Sequence, residues 1–230
     1  MPQIFNGLIV KKVNLAGNYW QFTLEFPVKF AFFAGQYVSV KVAGDGTRRS
    51  YSIASAPDGN QIELLIDVGP MGLGSKYFLS LNEGDTIEAL GPLGRFVLPP
   101  SLKKVLFVAT GSGIVPFRPM IRELLEGRGL ADEIHLNWGM RHEEDLFWMD
   151  EFKKLETGHA NFKFDVVLSK PTKEWSACSG HVNDCLVKHR ANYLGWEAYL
   201  CGSQQMIGEV AALLSGLGVA KEDIHFEKFF

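Results

Sequence analysis

The stretch from Pro99 to Pro116, PPSLKKVLFVATGSGIVP, separates two parts of the chain that have different sequence patterns. Its apolar run, Lys104–Ala109, is typical of a strand buried on both faces of a parallel sheet. The run leads through Thr110-Gly111-Ser112-Gly113 into a helical pattern over 116–126, the context that a dinucleotide-binding fingerprint requires. Because the loop ends in Pro116 and no acidic residue stands out after the second strand, we predict a relative of that fingerprint.

Short β-type runs fill the chain before this stretch. Turn signals separate the runs, and one helical pattern, Ser75–Leu81, follows a glycine-rich segment. Strands at this spacing predict an antiparallel barrel or sandwich. The runs are Leu8–Val13, Tyr19–Phe26, Tyr37–Val42, Arg49–Ser55, Ile62–Val68 and Thr86–Leu90.

Strand-like and helical patterns alternate after the stretch. This alternation predicts a parallel, doubly wound α/β sheet. The boundary near Pro99-Pro100 therefore predicts two domains, 1–100 and 101–230. The later segments are Ile134–Trp138, Leu146–Leu155, Phe164–Ser169, Val182–Lys188, Ala198–Cys201, Gln204–Leu217 and Ile224–Glu227.

The composition is that of an ordinary globular protein, with 230 residues, 47% hydrophobic and 21% charged. A net charge of −3 does not favour attraction to nucleic acid, and no apolar run is long enough to span a bilayer. We therefore expect a cytoplasmic protein without a nucleic-acid or membrane partner. Cys178, Cys185 and Cys201 are too widely spaced for a disulfide framework or a zinc site, so no metal is expected.

The segment Arg49-Ser50-Tyr51-Ser52 combines a cation, a hydroxyl and an aromatic ring in a β-rich region. Side chains alternate along a strand, so Arg49 and Tyr51 are predicted to project to the same side. A guanidinium can bind phosphate oxygens in bidentate fashion, and a tyrosine ring offers a flat surface to a heterocycle. This pattern indicates a nucleotide or flavin site, although an exposed cross-strand pair is the alternative.

A second glycine segment, Gly72-Leu73-Gly74-Ser75, precedes the predicted helix in the first half. The first turn of a helix presents unpaired N–H groups and a partial positive charge, which suit a phosphate. Ser75 is expected either to cap the helix or to bind the phosphate.

Taken together, these motifs resemble those of the ferredoxin–NADP reductase superfamily, which includes flavodoxin reductases, oxygenase reductase components and flavin reductases. The resemblance extends over about 5–230 and rests on the order of the motifs. They are Arg49-x-Tyr51-Ser52, Gly72-x-Gly74-Ser75, Gly91-Pro92-Leu93-Gly94, Thr110–Pro116, Trp138-Gly139-Met140-Arg141, and Cys201-Gly202 with Met206.

The resemblance implies an antiparallel β-barrel that binds FAD, followed by an α/β domain that binds NADPH or NADH. It implies that Arg49 binds a flavin phosphate, Tyr51 stacks on the flavin ring and Ser52 lies near its reactive edge. Gly74 and Ser75 would hold the pyrophosphate. The further flavin-binding residues that it implies are Ser50, Ile66, Val68 and Gly72.

For the second cofactor, the resemblance implies that the glycine loop receives the dinucleotide. Arg141, Ser169 and Lys170 match positions that recognise the adenosine phosphate in NADP-specific members, which favours NADPH. Ser52, Cys201 and Phe230 are the implied catalytic residues, although Cys201 could be only a small core residue and Phe229-Phe230 only a docked terminus. The implied binding residues are Thr110, Gly111, Ser112, Gly113, Arg141, Ser169, Lys170, Cys201, Gly202 and Met206.

The sequence contains no C-x4-C-x2-C run, so no fused plant-type ferredoxin is expected. The expected activity is hydride transfer from NAD(P)H to FAD, with electrons then passing singly to a separate ferredoxin, flavodoxin or oxygenase component. Two alternatives stay open: a reductase that uses free flavin as its substrate, and a non-catalytic subunit that holds flavin for a larger complex.

Overall fold

The computed structural model describes residues 2–128, 131–189 and 192–228. The chain divides into two compact units. The first unit contains the residues up to Leu98 together with Val115–Glu123, and the second contains Pro99–Ile114 and the residues from Leu124 onwards. The segment Val115–Glu123 thus belongs with the first unit, although it follows the glycine loop in the sequence.

The first unit is built on a six-stranded antiparallel sheet in the order β4-β3-β6-β1-β2-β5. An isolated antiparallel bridge between Ile53 and Leu64 links the end of β4 to β5 and closes the sheet into a barrel. The predicted antiparallel barrel is therefore confirmed. Its strands are β1 (Gln3–Ala16), β2 (Tyr19–Glu25), β3 (Tyr37–Lys41), β4 (Arg48–Ser52), β5 (Gln61–Asp67) and β6 (Thr86–Leu93).

Alternating apolar side chains fill the barrel. Phe22 and Leu24 of β2 are fully buried and pair with Leu64 and Ile62 of β5. Period-two alternation places these side chains on one face, which is why the sequence pattern reads as strand. The ring of Phe78, from the helix α1 (Leu73–Ser80), packs edge-on against Phe22 at 5.0 Å between centroids.

Lys12 of β1 closes the C-terminal end of α1. Its ammonium group donates to the carbonyl oxygens of Leu79, at 3.2 Å, and Leu81. The same group lies 5.4 Å from the centre of the Trp20 ring. A cation at a helix C-terminus satisfies carbonyls that have no intrahelical donor and is attracted by the ring face.

We expect Lys12→Met to destabilise the first unit by about 1–2 kcal/mol, because the aliphatic stem is kept while the cap and the cation–π contact are lost. Denaturant unfolding followed by circular dichroism measures this loss. Lys11→Met changes an exposed neighbour and is the matched control. Equal unfolding midpoints for the two variants would contradict the assigned role of Lys12.

The second unit contains a six-stranded, wholly parallel sheet in the order β10-β9-β8-β7-β11-β12. The chain order reverses between β7 and β11, which is the point at which open α/β sheets bind ligands beyond the strand carboxyl ends. The strands are β7 (Lys104–Thr110), β8 (Glu133–Met140), β9 (Phe162–Leu168), β10 (Cys178–Ser179), β11 (Glu197–Gly202) and β12 (Ile224–Lys228).

Helices cover both faces of this sheet, as the doubly wound prediction requires. Phe152 of α3 packs on Phe164 of β9, with ring centroids 5.1 Å apart. Val167 of β9 projects to the opposite face and joins the cluster formed by the helices α4 and α5. The helices are α3 (Met149–Gly158), α4 (Val182–His189) and α5 (Gln204–Gly216).

The helical pattern over 116–126 is confirmed, and it corresponds to two consecutive helical segments. The glycine loop forms a 3-10 turn, Gly111–Ile114, and the α-helix α2 covers only Phe117–Arg122. A π-helical segment, Glu123–Arg128, follows it. Pro119 lies in the first turn of α2, where an N–H would have no acceptor within the helix.

No helix in the described part of the chain is both long and apolar enough to cross a membrane.

Candidate functional site

In the first unit, β4 and the first turn of α1 bring Arg49, Tyr51 and Gly74 together. A Cβ atom placed on Gly74 would collide with the Tyr51 hydroxyl oxygen and would lie 3.4 Å from Cγ of Arg49. Two motifs that are more than twenty residues apart in the sequence therefore meet. Only glycine allows the helix to approach the tyrosine this closely.

The Tyr51 ring is held from the side of the barrel. It packs edge-on against Phe78, with centroids 4.9 Å apart and planes at 76°. Burial raises the pKa of Tyr51 to about 12, and the positive charge of Arg49 opposes this rise. Tyr51 is therefore a neutral, half-buried ring at physiological pH, as an aromatic stacking surface needs to be.

The other residues of this segment differ in exposure. Arg49 and Ser50 are exposed, and the Arg49 guanidinium donates to the carbonyl of Arg48 at 2.9 Å. Ser52 is 4% exposed. The exposed cation suits a charged ligand, whereas the implied catalytic role of the buried Ser52 stays a prediction.

The N-terminus of α1 corrects one expectation about Ser75. Gly72 is the N-cap residue, and no side chain caps the helix. The Ser75 hydroxyl donates instead to the carbonyl of Asp67, at 3.2 Å. Ser75 therefore ties the helix to the end of β5, and the first-turn N–H groups, which have no acceptor within the helix, are the donors suited to a phosphate.

Ile66 and Val68 lie in the barrel core with 1% and 6% exposure. The Val68 N–H donates to Asn18, and its carbonyl accepts from the N–H of Met71. The structure thus gives these two side chains packing roles, and their part in flavin binding stays a prediction.

In the second unit, the glycine loop meets the end of β11 at the switch point of the sheet. A Cβ atom on Gly113 would collide with the carbonyl oxygen of Cys201 and would lie 3.0 Å from the nitrogen of Gly202. A Cβ atom on Gly202 would collide with the Thr110 hydroxyl and approach Cε of Met206 to 2.9 Å. Five predicted residues therefore converge on one strand edge.

Two residues outside the predicted set fix this edge. The indole N–H of Trp138 donates to the carbonyl of Gly111 at 2.9 Å, which leaves the half-buried Ser112 in a fixed turn. The Ser203 hydroxyl accepts from the N–H of Met206 at 3.2 Å and caps α5. Trp138 could have been found because it is part of the Trp138-Gly139-Met140-Arg141 motif. Ser203 could have been found because a serine directly before an apolar helical pattern is a common N-cap.

The Cys201 thiol is fully buried. Burial, reinforced by the nearby Glu227 carboxylate, raises its pKa well above the ordinary cysteine value. A neutral thiol that a bound ligand cannot reach does not react with that ligand. The structure therefore favours the reading of the Cys201 side chain as a small core group, and its catalytic role stays a prediction.

Arg141, Ser169 and Lys170 follow directly after β8 and β9 at the same edge of the sheet. The Lys170 N–H donates to the carbonyl of Arg141 at 2.9 Å, and the Ser169 N–H donates to that of Met140 at 3.0 Å. All three predicted side chains are exposed. Two cations and a hydroxyl are thus held together by backbone hydrogen bonds.

Arg118 of α2 is a further polar residue that the sequence analysis missed. Its guanidinium donates to the carbonyl of Ala54 at 3.2 Å and forms an ion pair with Glu63, and its side chain is 14% exposed. It therefore holds the backbone two residues after Ser52. Nothing in the sequence around Arg118 indicates that it binds the Ala54 carbonyl or Glu63. The predicted residue Phe230, and Phe229 before it, lie outside the described residues.

Comparison with known proteins identifies the family. A model described as an oxidoreductase FAD-binding domain matches residues 7–98, and one described as an oxidoreductase NAD-binding domain matches residues 107–212. Over 211 residues the chain is 36% identical to ferredoxin–NADP reductase B of Sorangium cellulosum, covering 87% of this chain and 86% of that protein. This chain belongs to the ferredoxin–NADP reductase family.

This reductase is also similar to parts of longer proteins. It is 30% identical to the toluate 1,2-dioxygenase electron transfer component of Pseudomonas putida, covering 87% of this chain but 60% of that protein. The crystal structure of a cytochrome P450 reductase from Amycolatopsis matches with a TM-score of 0.93 at 29% identity, covering 99% of this chain and 70% of that one. The reductase is thus an oxidoreductase with an FAD-binding and an NAD-binding domain.

The residues of the reductase fit these cofactors. The first unit offers the contacts that a phosphate and a flat heterocycle need. They come from the backbone at Gly74, the Arg49 guanidinium and the neutral Tyr51 ring. In the second unit, Gly113 and Gly202 leave backbone without side chains at the strand edge. A ligand can approach such backbone closely.

We expect Gly74→Ala to weaken FAD binding by tenfold or more, because the new methyl group must displace the Tyr51 hydroxyl. Fluorescence titration of the apoprotein with FAD measures the affinity. Gly44→Ala is the matched control, since a Cβ atom there has no neighbour within 4 Å and Gly44 lies outside the proposed site. Equal affinities for the two variants would show that the approach of Gly74 to Tyr51 does not shape the site.

We expect Gly113→Ala to destabilise the second unit by about 1–3 kcal/mol, because the Cys201 carbonyl cannot rotate away from the methyl group. The matched control is Gly208→Ala, at an open position in α5, which is expected to stabilise the helix slightly. Thermal unfolding compares the two. A neutral Gly113→Ala would contradict the close approach of the loop to β11.

Proposed function

We propose that this reductase oxidises NADPH in preference to NADH and passes the electrons one at a time to a separate protein carrier, such as a ferredoxin, a flavodoxin or an oxygenase component. FAD, when bound, supplies the chemistry that converts a hydride into single electrons. The contribution of the protein is to bind, orient and shield the reacting groups.

The observation that carries the preference for NADPH is the cluster of Arg141, Ser169 and Lys170. NADPH differs from NADH by a 2′-phosphate, which carries negative charge and accepts several hydrogen bonds. A planar guanidinium, a hydroxyl and an ammonium at the end of neighbouring strands form a matching donor set. No carboxylate replaces them at these positions, where an acidic residue would favour NADH.

In the first unit, the proposed roles follow from exposure and charge. The exposed Arg49 binds the flavin phosphate, and the first-turn N–H groups of α1 bind the pyrophosphate. Tyr51 supplies a neutral stacking surface because its pKa, about 12, keeps the phenol protonated.

The identity of the carrier is supported by the relatives. These relatives include a ferredoxin–NADP reductase and the ferredoxin–NAD(P)(+) reductase component of a naphthalene 1,2-dioxygenase/salicylate 5-hydroxylase system from Ralstonia. This chain spans 86% of the first and 62% of the second. A separate one-electron carrier is the acceptor type that these names have in common.

The test of the nucleotide preference is Lys170→Ala. Loss of one cation from the cluster is expected to raise KM for NADPH about tenfold, the factor for one charge-assisted hydrogen bond, and to leave KM for NADH nearly unchanged. Lys163→Ala is the matched control, because Lys163 is also exposed but lies at the opposite end of β9.

Steady-state assays with a dye acceptor measure both constants. Parallel changes for NADPH and NADH would refute a role of the cluster in phosphate recognition. Protein with bound FAD that reduces no dye would support the non-catalytic subunit, and release of reduced flavin into solution would support the free-flavin reductase.

A further inference from the structure

Cys178 and Cys185 lie outside the proposed cofactor sites but close to each other. Cys178 is in the edge strand β10, where it pairs with Val167 of β9. Val167, Val182 and Cys185 belong to one buried cluster, and Cys178 packs against this cluster. Cys178 thus packs against the cluster that contains Cys185, and the two side chains interact there. We propose that Cys178 and Cys185 form a reversible disulfide and that hydrogen peroxide is its oxidant.

The surrounding segment holds the two thiols in place. The indole N–H of Trp175 donates to the carbonyl of Cys178 at 2.9 Å, and the Gly180 N–H donates to that of Leu168 at 2.9 Å. The Asp184 carboxylate accepts from the N–H of His181 at 3.0 Å and fixes the start of α4. These bonds hold the backbone around Cys178 and the start of the helix that carries Cys185.

The two cysteines differ in access. Cys178 is half-buried, whereas Cys185 is 1% exposed. Burial, followed by the contact with Cys178 and the charge of Asp165, raises the pKa of the Cys185 thiol. Cys178 is therefore the cysteine that meets the oxidant first, and Cys185 is the one that resolves the product.

The chemistry balances in two steps. The Cys178 sulfur attacks one peroxide oxygen, the O–O bond breaks, and a sulfenic acid and water form. The Cys185 sulfur then attacks the sulfenic sulfur, the S–O bond breaks, and the departing hydroxide takes the Cys185 proton to form a second water. The two thiols lose two electrons in total, and the peroxide gains them.

The strand pair β10 and β9 connects the proposed disulfide to the cluster of Arg141, Ser169 and Lys170. An S–S bond is much shorter than a non-bonded sulfur contact, so bond formation requires backbone movement. β10 has two residues and lies at the edge of the sheet, whereas α4 has eight residues, so we expect β10 to be the element that moves. Its partner is the end of β9, which continues directly into Ser169 and Lys170. On the basis of the proposed function, we infer that oxidation weakens NADPH binding.

The experiment uses the full-length protein with bound FAD, treated with hydrogen peroxide and then mapped by peptide mass spectrometry after thiol alkylation. We expect a Cys178–Cys185 linked peptide that dithiothreitol removes, while the buried Cys201 stays reduced. KM for NADPH should rise about tenfold on oxidation, as for loss of one charge-assisted hydrogen bond. Cys178→Ser should form no link and keep its KM after peroxide.

Phenylarsine oxide, which bridges two neighbouring thiols with loss of water, is an independent probe of the pair. It should bind the reduced protein and should not bind Cys178→Ser. If that variant fails to fold, Cys178→Ala replaces it. Oxidation of Cys178 without linkage to Cys185 would overturn the proposal, and so would a linked protein with an unchanged KM for NADPH.

The peptide map does not depend on the nucleotide used. A reduced protein without preference for NADPH would therefore overturn the proposed function and leave the disulfide standing. A protein that prefers NADPH but forms no link would overturn only the disulfide.

Discussion

The carbonyl of Cys201 stands where a side chain on Gly113 would otherwise be, and this close approach is the constraint on which the second unit depends. It can occur because β7 and β11 are parallel neighbours whose carboxyl ends lie at the same edge. The approach places the loop Gly111–Ile114 across the switch point of the sheet. The first unit follows the same principle, since the bare backbone of Gly74 packs against the Tyr51 hydroxyl.

In both proposed sites, exposed cations lie next to neutral side chains that are partly or fully buried. The exposed guanidinium of Arg49 stands beside the neutral phenol of Tyr51, and the exposed Lys170 follows the fully buried Leu168. This arrangement avoids the cost of burying an unpaired charge. It also leaves the cations accessible to anionic ligands, and the proposed flavin and nucleotide sites have this property in common.

The fold could be predicted from the sequence because its signals are local. Alternation along β2 and β5 and the apolar run of β7 reveal the two kinds of sheet directly. The meeting of Tyr51 with Gly74 is different, because only the resemblance to a family linked two segments so far apart. Of the two alternatives for Ser75, the helix cap is wrong for a related reason: the Asp67 carbonyl that accepts a hydrogen bond from its hydroxyl is supplied by tertiary structure.

Long-range polar partners escaped prediction altogether. Nothing in the sequence connects Lys12 with the end of α1, Arg118 with the Ala54 carbonyl, or Cys178 with Cys185. Each pair depends on how elements pack, and the residue types involved are common on surfaces and in cores. The cofactor set, by contrast, was implied by the resemblance, which rests on the order of short motifs along the chain.

The most direct test of the central claim is anaerobic stopped-flow spectroscopy on the purified protein with bound FAD, mixed in turn with NADPH and NADH. The account holds that both proposed sites serve one reaction and that the cluster of Arg141, Ser169 and Lys170 binds the 2′-phosphate. NADPH will then bleach the visible flavin band rapidly, and NADH will do so more slowly at equal concentration. If neither NADPH nor NADH bleaches the bound flavin, the account is contradicted.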